Sequence, residues 1–196
     1  KISSIQHQEG FDFSSRLSAL ESSLMKQVYK NDLAEGLFNS EVSILDLLNA
    51  GGAALVSPRQ IKTTGDVPTA DQIKEIVYWL QSNPQSDIFH VSNLAEVYES
   101  AEAFSDVASG IIAIPIDPAK GEYIIGFRPE AIQEVNWGGN PNEAINFEKD
   151  NITYHPRNSF RLWQQVVKNT SLPWKAQEVT AAGNFRNFIL NLRAKN

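Results

Sequence analysis

The run Ser109-Gly-Ile-Ile-Ala-Ile-Pro-Ile116 is apolar at odd and even positions alike. Side chains alternate across a strand, so a strand of this pattern needs cover on both of its faces. A second β-rich run, Tyr123 to Phe127, follows across Asp117-Pro-Ala-Lys-Gly121, where Pro at the second turn position and Gly at the end suit a hairpin loop. The two runs read as an antiparallel pair in a core sheet. Hairpin connections, in place of regular βα repeats, argue for an α+β fold: an antiparallel sheet flanked by helices.

The covering helices can be read on either side of this pair. Ser14 to Leu33 places Leu17, Leu20, Leu24 and Val28 at helical spacing, with Arg16, Glu21, Lys26 and Lys30 off the stripe. Thr69 with Gln72 forms a capping-box pattern; Ile73, Ile76, Val77 and Leu80 follow at i, i+3, i+4, i+7, until Asn83-Pro84 stops the helix. Phe185, Phe188, Ile189 and Leu192 repeat that spacing near the end of the chain, where no stop signal is evident. Between the first two helices, Val42 to Leu48 fits either a short helix or the entry to a sheet. Ala53 to Val56 and Arg59 to Lys62 read as short strands around Pro58.

A chain of 196 residues, 42% hydrophobic and 20% charged, can build one sizeable core. Its formal net charge of -6, with no Lys/Arg cluster, argues against nucleic acid and anionic membrane as partners. The absence of cysteine removes disulfides, thiolate metal sites and thioether-linked cofactors from this chain. No apolar stretch approaches the roughly 20 residues of a membrane span, and the first residues open no signal peptide, which fits a cytoplasmic protein. A start at Lys1 suggests a piece of something longer. His7, His90 and His155 lack metal-ligand spacing. Asp150, His155 and Ser159 supply triad residue types without a nucleophile elbow, so the chain is expected to be no enzyme.

Asn136 to Trp163 is the unusual stretch. Two tryptophans, a Gly-Gly pair and two prolines crowd into a segment that is mostly polar between them. Loops beyond about 12 to 15 residues are usually functional or disordered. Ile145 and Phe147, then Ile152 and Tyr154, alternate with polar residues around Glu148-Lys-Asp-Asn151, which predicts a hairpin whose apolar side needs a cover. Phe160, Trp163 and Val167 then fit a helix capped by Asn158 or Ser159, with Arg157 at the junction.

Gly126-Phe-Arg-Pro-Glu130, Val135-Asn-Trp-Gly-Gly-Asn-Pro141, Pro156-Arg-Asn-Ser-Phe160, Trp163 and Leu172-Pro-Trp174, taken in order, resemble the phytochrome-specific PHY domain. Gln72 to Leu80 and Ala108 to Ile114 resemble that family's helix and central strand, and the likeness is greatest to cyanobacterial-type bacterial phytochromes. The resemblance implies a GAF-like fold with a long hairpin extension, the tongue, which seals the bilin pocket of a neighbouring GAF domain of the same polypeptide. It divides the chain into a connecting helix over 1–33, a PHY domain over 34–174 with its tongue at 130–160, and an exit helix over 175–196 toward an output domain such as a histidine kinase. Trp137, Gly138, Gly139, Pro156, Arg157, Ser159 and Phe160 are then expected to contact the GAF domain and its chromophore pocket. By the same resemblance, Arg157 pairs with a GAF carboxylate in the dark state, and Ser159 replaces it after photoconversion as the tongue refolds toward helix. The bilin, a linear tetrapyrrole, is carried by the neighbour. Apart from the resemblance, the hydrophobic stripes of the terminal helices suit a core, with a homodimer seam as the alternative.

Each of these residues also has a plainer role open to it. Trp137, Trp163 and Trp174 can be core aromatics, Gly138-Gly139 a turn, and Arg157 a solvated or locally paired arginine. The alternative function is an autonomous GAF-like sensor that binds a small ligand, such as a nucleotide, in its own cavity.

Overall fold

The computed structural model describes residues 2–38, 41–84, 87–131 and 168–196. Among them, β1 (Gly52–Val56), β2 (Ile61–Gly65), β3 (Phe89–Val91), β4 (Gly110–Asp117) and β5 (Glu122–Arg128) form one sheet in the order β2-β1-β5-β4-β3. Every pairing is antiparallel. The helices are α1 (Ile2–Lys30), α2 (Leu33–Phe38), α3 (Ile44–Leu48), α4 (Ala70–Ser82), α5 (Ser105–Ala108) and α6 (Ala176–Ala194).

The doubly apolar strand has the two covers it needs. Ile112, Ile114, Ile116 and Ile124 face one core with Leu17, Leu24 and Val28 of α1, Leu47 and Leu48 of α3, and Phe185 and Ile189 of α6. Their odd-numbered neighbours Ile111, Ala113, Tyr123, Ile125 and Phe127 face a second core with Ile73, Ile76, Val77 and Leu80 of α4 and with Leu94 and Phe104 from the 3-10 segments that follow β3. The result is three layers, helix on sheet on helix. Each fully buried aliphatic side chain contributes about 1.5–3 kcal/mol relative to exposure, so the sheet is held from both sides.

Local chemistry sets the element ends. Thr69 Oγ1 accepts the Gln72 N–H at 3.3 Å and Gln72 Oε1 accepts the Thr69 N–H at 2.9 Å, the reciprocal box expected from the sequence. The β4–β5 turn is a 3-10 turn, Pro118–Lys120, closed by Gly121 at φ 71°, a left-handed conformation that glycine adopts at least cost. The ambiguous run after Val42 is helical over Ile44–Leu48, because Ser43 and Asp46 form a second capping box.

Three sequence expectations shift. The first helix begins at Ile2 and ends at Lys30, where Ser14 to Leu33 was expected. Residues 5–12 are mostly exposed, so no apolar stripe marks that half; Phe13 is the first to pack, with the Lys175 ammonium 4.3 Å from its ring centre. Leu33 opens a separate helix because Asp32 Oδ1 accepts the Glu35 N–H at 2.9 Å and restarts the ladder. The strand expected at Arg59 to Lys62 starts at Ile61, since Ser57 and Gln60 bond each other through Ser57 Oγ and both backbones and so hold a turn.

Candidate functional site

The described chain leaves the sheet after β5 at Ala131 and resumes at Lys168, just before α6. All of the expected contact residues, Trp137, Gly138, Gly139, Pro156, Arg157, Ser159 and Phe160, lie outside the described residues, as do the expected hairpin at 145–154 and the helix from 159. What the structure describes is the root that carries them.

The outgoing and returning limbs are bonded to each other. Ala131 N–H donates to Thr170 O at 2.8 Å, and Asn169 N–H donates to Glu130 Oε1 at 3.1 Å. Asn169 takes φ 59°, which turns the returning chain onto the outgoing one. Both limbs are also fixed to the body: Glu130 N–H donates to Ser105 O at 3.1 Å, and Ser171 N–H to Ser92 O at 2.8 Å. Ser171 is buried against Gly110, and a β-carbon on Gly110 would lie 2.0 Å from Ser171 Oγ. The returning limb therefore approaches β4 more closely than any side chain there would permit.

Arg128, the last residue of β5, is the hub of this root. It shares the face of Ile124 and Gly126, so its side chain enters the core between α3 and α6. Nε donates to Asn49 O at 3.0 Å; Nη2 donates to Leu48 O at 3.0 Å and to Glu178 Oε2 at 2.8 Å; Nη1 donates to Pro173 O at 2.7 Å and to Leu172 O at 3.4 Å. These five contacts engage every N–H of the fork. The Trp174 ring lies beneath the guanidinium, 3.6 Å from Cζ to the ring centre, and its Nε1–H donates to Val91 O of β3 at 3.0 Å.

The electrostatics agree with helix geometry. Leu48 and Asn49 end α3, with Asn49 at φ 48°, so the cation meets carbonyls that the helix leaves without partners. Glu178 lies in the first turn of α6, where an anion is favoured, and its Oε1 accepts the Lys175 N–H at 2.8 Å. The Arg128 and Glu178 side chains are 5% and 2% exposed. Groups so buried need such partners to offset the loss of water. The exposed Lys168–Glu102 pair nearby, at 3.1 Å, is worth at most about 1 kcal/mol.

Two hollows lie among the described residues. On the α4 side of the sheet, Leu80, Asp87, Phe89, Ala113, Pro115 and Tyr123 enclose about 10 Å³, room for one water at most. At the far end of α6, an open groove of about 290 Å³ lies among Asp32, Leu55, Lys62, Glu122 and Arg193. His7 and His90 are exposed, and no group of three or more metal-ligating side chains occurs among the described residues. No helix among them is long and apolar enough to cross a membrane.

Sequence reading did not single out Arg128, Asn49 or Glu178, although Arg128 stood within the quoted Gly126 to Glu130 motif. A signal was available: an arginine at a core-facing position of a strand, directly after the apolar run Ile124 to Phe127, must bring its own partners. Trp174 was noted within the Leu172 to Trp174 motif and as a candidate core aromatic, but not as the partner of Arg128.

The family described as PHY, Phytochrome region, matches residues 17–196. Cyanobacterial phytochrome A of Nostoc sp. is 37% identical over 98% of this chain, which covers 25% of that relative. Cyanobacterial phytochrome B of the same organism is 40% identical over 83% of the chain, covering 22% of the relative. Among solved structures, the wild-type photosensory core module of Stigmatella aurantiaca phytochrome superposes with a TM-score of 0.73 at 29% identity, over 95% of this chain and 37% of that one. The chain thus spans about a quarter of the length of the curated relatives it matches.

Proposed function

The chain belongs to the PHY family, the phytochrome region, and from that premise we propose that its 132–167 excursion is a tongue that seals the bilin pocket of an adjacent GAF domain. Light-driven change at that pocket reaches the output module, a histidine kinase, through α6. In this reading residues 1–33 connect to the GAF domain, 34–174 form the PHY domain with its tongue at 130–160, and 175–196 lead to the output. The protein works in the cytoplasm and pairs with a second copy through its terminal helices.

One observation carries the reading. The described ends of the segment are bonded side by side at Ala131 and Thr170, so it starts and ends at one point, as a tongue requires. Every residue expected to touch a GAF domain is on that arm. The chain has no cysteine to carry a bilin through a thioether, which supports placing the chromophore in the neighbour. The ordered motifs of that segment favour this reading over an autonomous ligand sensor, which has no use for an arm ending in an arginine.

Arg157 pairs with a GAF carboxylate in the dark arrangement, and Ser159 takes that place in the lit one. Truncating one member of a desolvated charge pair costs about 2–5 kcal/mol, and even about 1.4 kcal/mol is tenfold in an equilibrium. In the photoreceptor that carries this chain, Arg157→Ala therefore slows thermal return to the dark state after red light, followed by bilin absorbance. Ser159→Ala acts in the opposite sense and more weakly, because it removes a neutral hydroxyl. A shift of both in one direction, or of neither, refutes the assignment of the two residues to opposite states.

A further inference from the structure

We infer that Arg128 is the positioning residue that makes β5 and α6 one rigid lever, so that movement of the arm's root is delivered to the far end of the exit helix. The inference rests on the proposed relay and deepens it.

Three tethers join α6 to the β4–β5 hairpin. Glu178 bonds Arg128 at the end of β5, Arg186 Nε donates to Pro115 O of β4 at 2.6 Å, and Arg193 pairs with Glu122 at the start of β5. Positions 178, 186 and 193 recur about every two turns, so they share one side of the helix. The lengths match as well. From Glu178 to Arg193 the helix rises about 22 Å, and from Arg128 back to Glu122 the strand spans about 20 Å. The helix is thus bonded to the strand at both ends, running against it.

The tethers are unequal. The Arg128–Glu178 pair is excluded from water, while the Arg193 and Glu122 side chains are 47% and 20% exposed. Buried pairs with every donor engaged hold one geometry; exposed pairs exchange with solvent. Arg128 also grips Leu172 and Pro173 of the returning limb and Leu48 and Asn49 of α3. It is therefore the point at which both limbs of the arm meet the exit helix. A shift of the root displaces the guanidinium and the first turn of α6 together, and the remaining tethers carry that shift along the strand.

The test uses the photoreceptor containing its GAF domain and this chain. Spin labels are placed at Asn191→Cys, an exposed site on α6, and at a reference site in the GAF domain. Arg128→Lys keeps the charge but cannot fork, and Glu178→Gln keeps the shape and the acceptor for Lys175 N–H. Photoconversion is read by bilin absorbance and lever motion by the light-minus-dark change in label distance. The expected result is normal photoconversion in both variants with the distance change lost, and a fall of about tenfold in the light-to-dark ratio of output, within the range of measured site-to-site couplings. A residue that only supports the fold would lower the unfolding temperature and leave the distance change intact, which would overturn the inference. Loss of photoconversion would place Arg128 in the seal of the pocket and also overturn it. If the unsubstituted protein photoconverts with no distance change, the relay reading itself fails, and the two failures are told apart by that control.

Discussion

The Arg128–Glu178 pair sets a measurable energetic coupling between residues fifty positions apart. Consider Glu178→Leu, Arg128→Met and the two combined, each in the 196-residue chain. Glu178→Leu leaves a buried guanidinium with four carbonyl contacts and the Trp174 face but no counter-charge; breaking a buried pair costs about 3–5 kcal/mol, and the surviving contacts place this variant near 3. Arg128→Met strands a carboxylate that is 2% exposed with one remaining donor, Lys175 N–H, and orphans the Leu48, Asn49 and Pro173 carbonyls. At about 1 kcal/mol for each carbonyl beyond the lone charge, that variant loses roughly 5 kcal/mol or more. The double variant removes both charges, so only the carbonyl cost and imperfect packing remain, about 4 kcal/mol. The singles therefore sum to about 8 and the double to about half of that, a coupling well above the roughly 0.5 kcal/mol within which independent sites add. Urea unfolding at neutral pH, with midpoints compared at constant slope, measures the cycle. Additivity within that margin would mean the two charges are not one unit, and the reasoning on the root would fall with it.

Gly110→Ala should destabilise by about 1–3 kcal/mol, the range for overpacking, because its methyl would meet Ser171 Oγ at 2.0 Å; adding Ser171→Gly should recover part of the loss in thermal unfolding, and a neutral single variant would contradict the close approach. Burial on α1 pushes the Glu21 carboxyl above its ordinary range, with an Asn184 hydrogen bond partly opposing it. The folded state then holds that proton more tightly than the unfolded one, so this residue's contribution falls as pH rises from the ordinary carboxylate range through the raised value. Glu21→Gln should accordingly be more stable than the parent at neutral pH and equal to it below about pH 4, in paired urea titrations; a variant equal to the parent at neutral pH would refute the burial effect. Mixed with a bilin, this chain alone should give no stable photoconvertible adduct by absorbance, and reversible red-light conversion would overturn the placement of the chromophore in a neighbour.

How legible each element was depended on how far apart its determinants lie. The capping box at Thr69 and Gln72, and the turn at Gly121, are written within a few residues and were read directly. The double-sided pattern of β4 required the three layers that the structure has. By contrast β3 is three residues long, Phe89–Val91, and exists because β4 offers it an edge at Ile111 to Ala113; no local pattern marks it. The first half of α1 buries little and continues upstream of the stripe by helix propagation, which favours extending a helix already begun. The root was half legible. The Gly126 to Glu130 and Leu172 to Trp174 motifs drew notice through their likeness to a family, yet the bond between Arg128 and Glu178 depends on α6 lying along β5. The arm's own motifs, which carried the functional reading, are outside the described residues.

The clasp between Ala131 and Thr170 also bears on how such a chain can vary over evolutionary time. A segment whose two ends are already held together contributes to folding mainly through the entropy of closing its loop, and that entropy grows only with the logarithm of length, about 0.6 kcal/mol for each doubling. A change in the number of residues between the two ends therefore costs the body little beside the burial in the two cores above and below the sheet. The body keeps its register whatever the length of the chain between Ala131 and Thr170, and the demands on that chain's composition come from the domain it contacts.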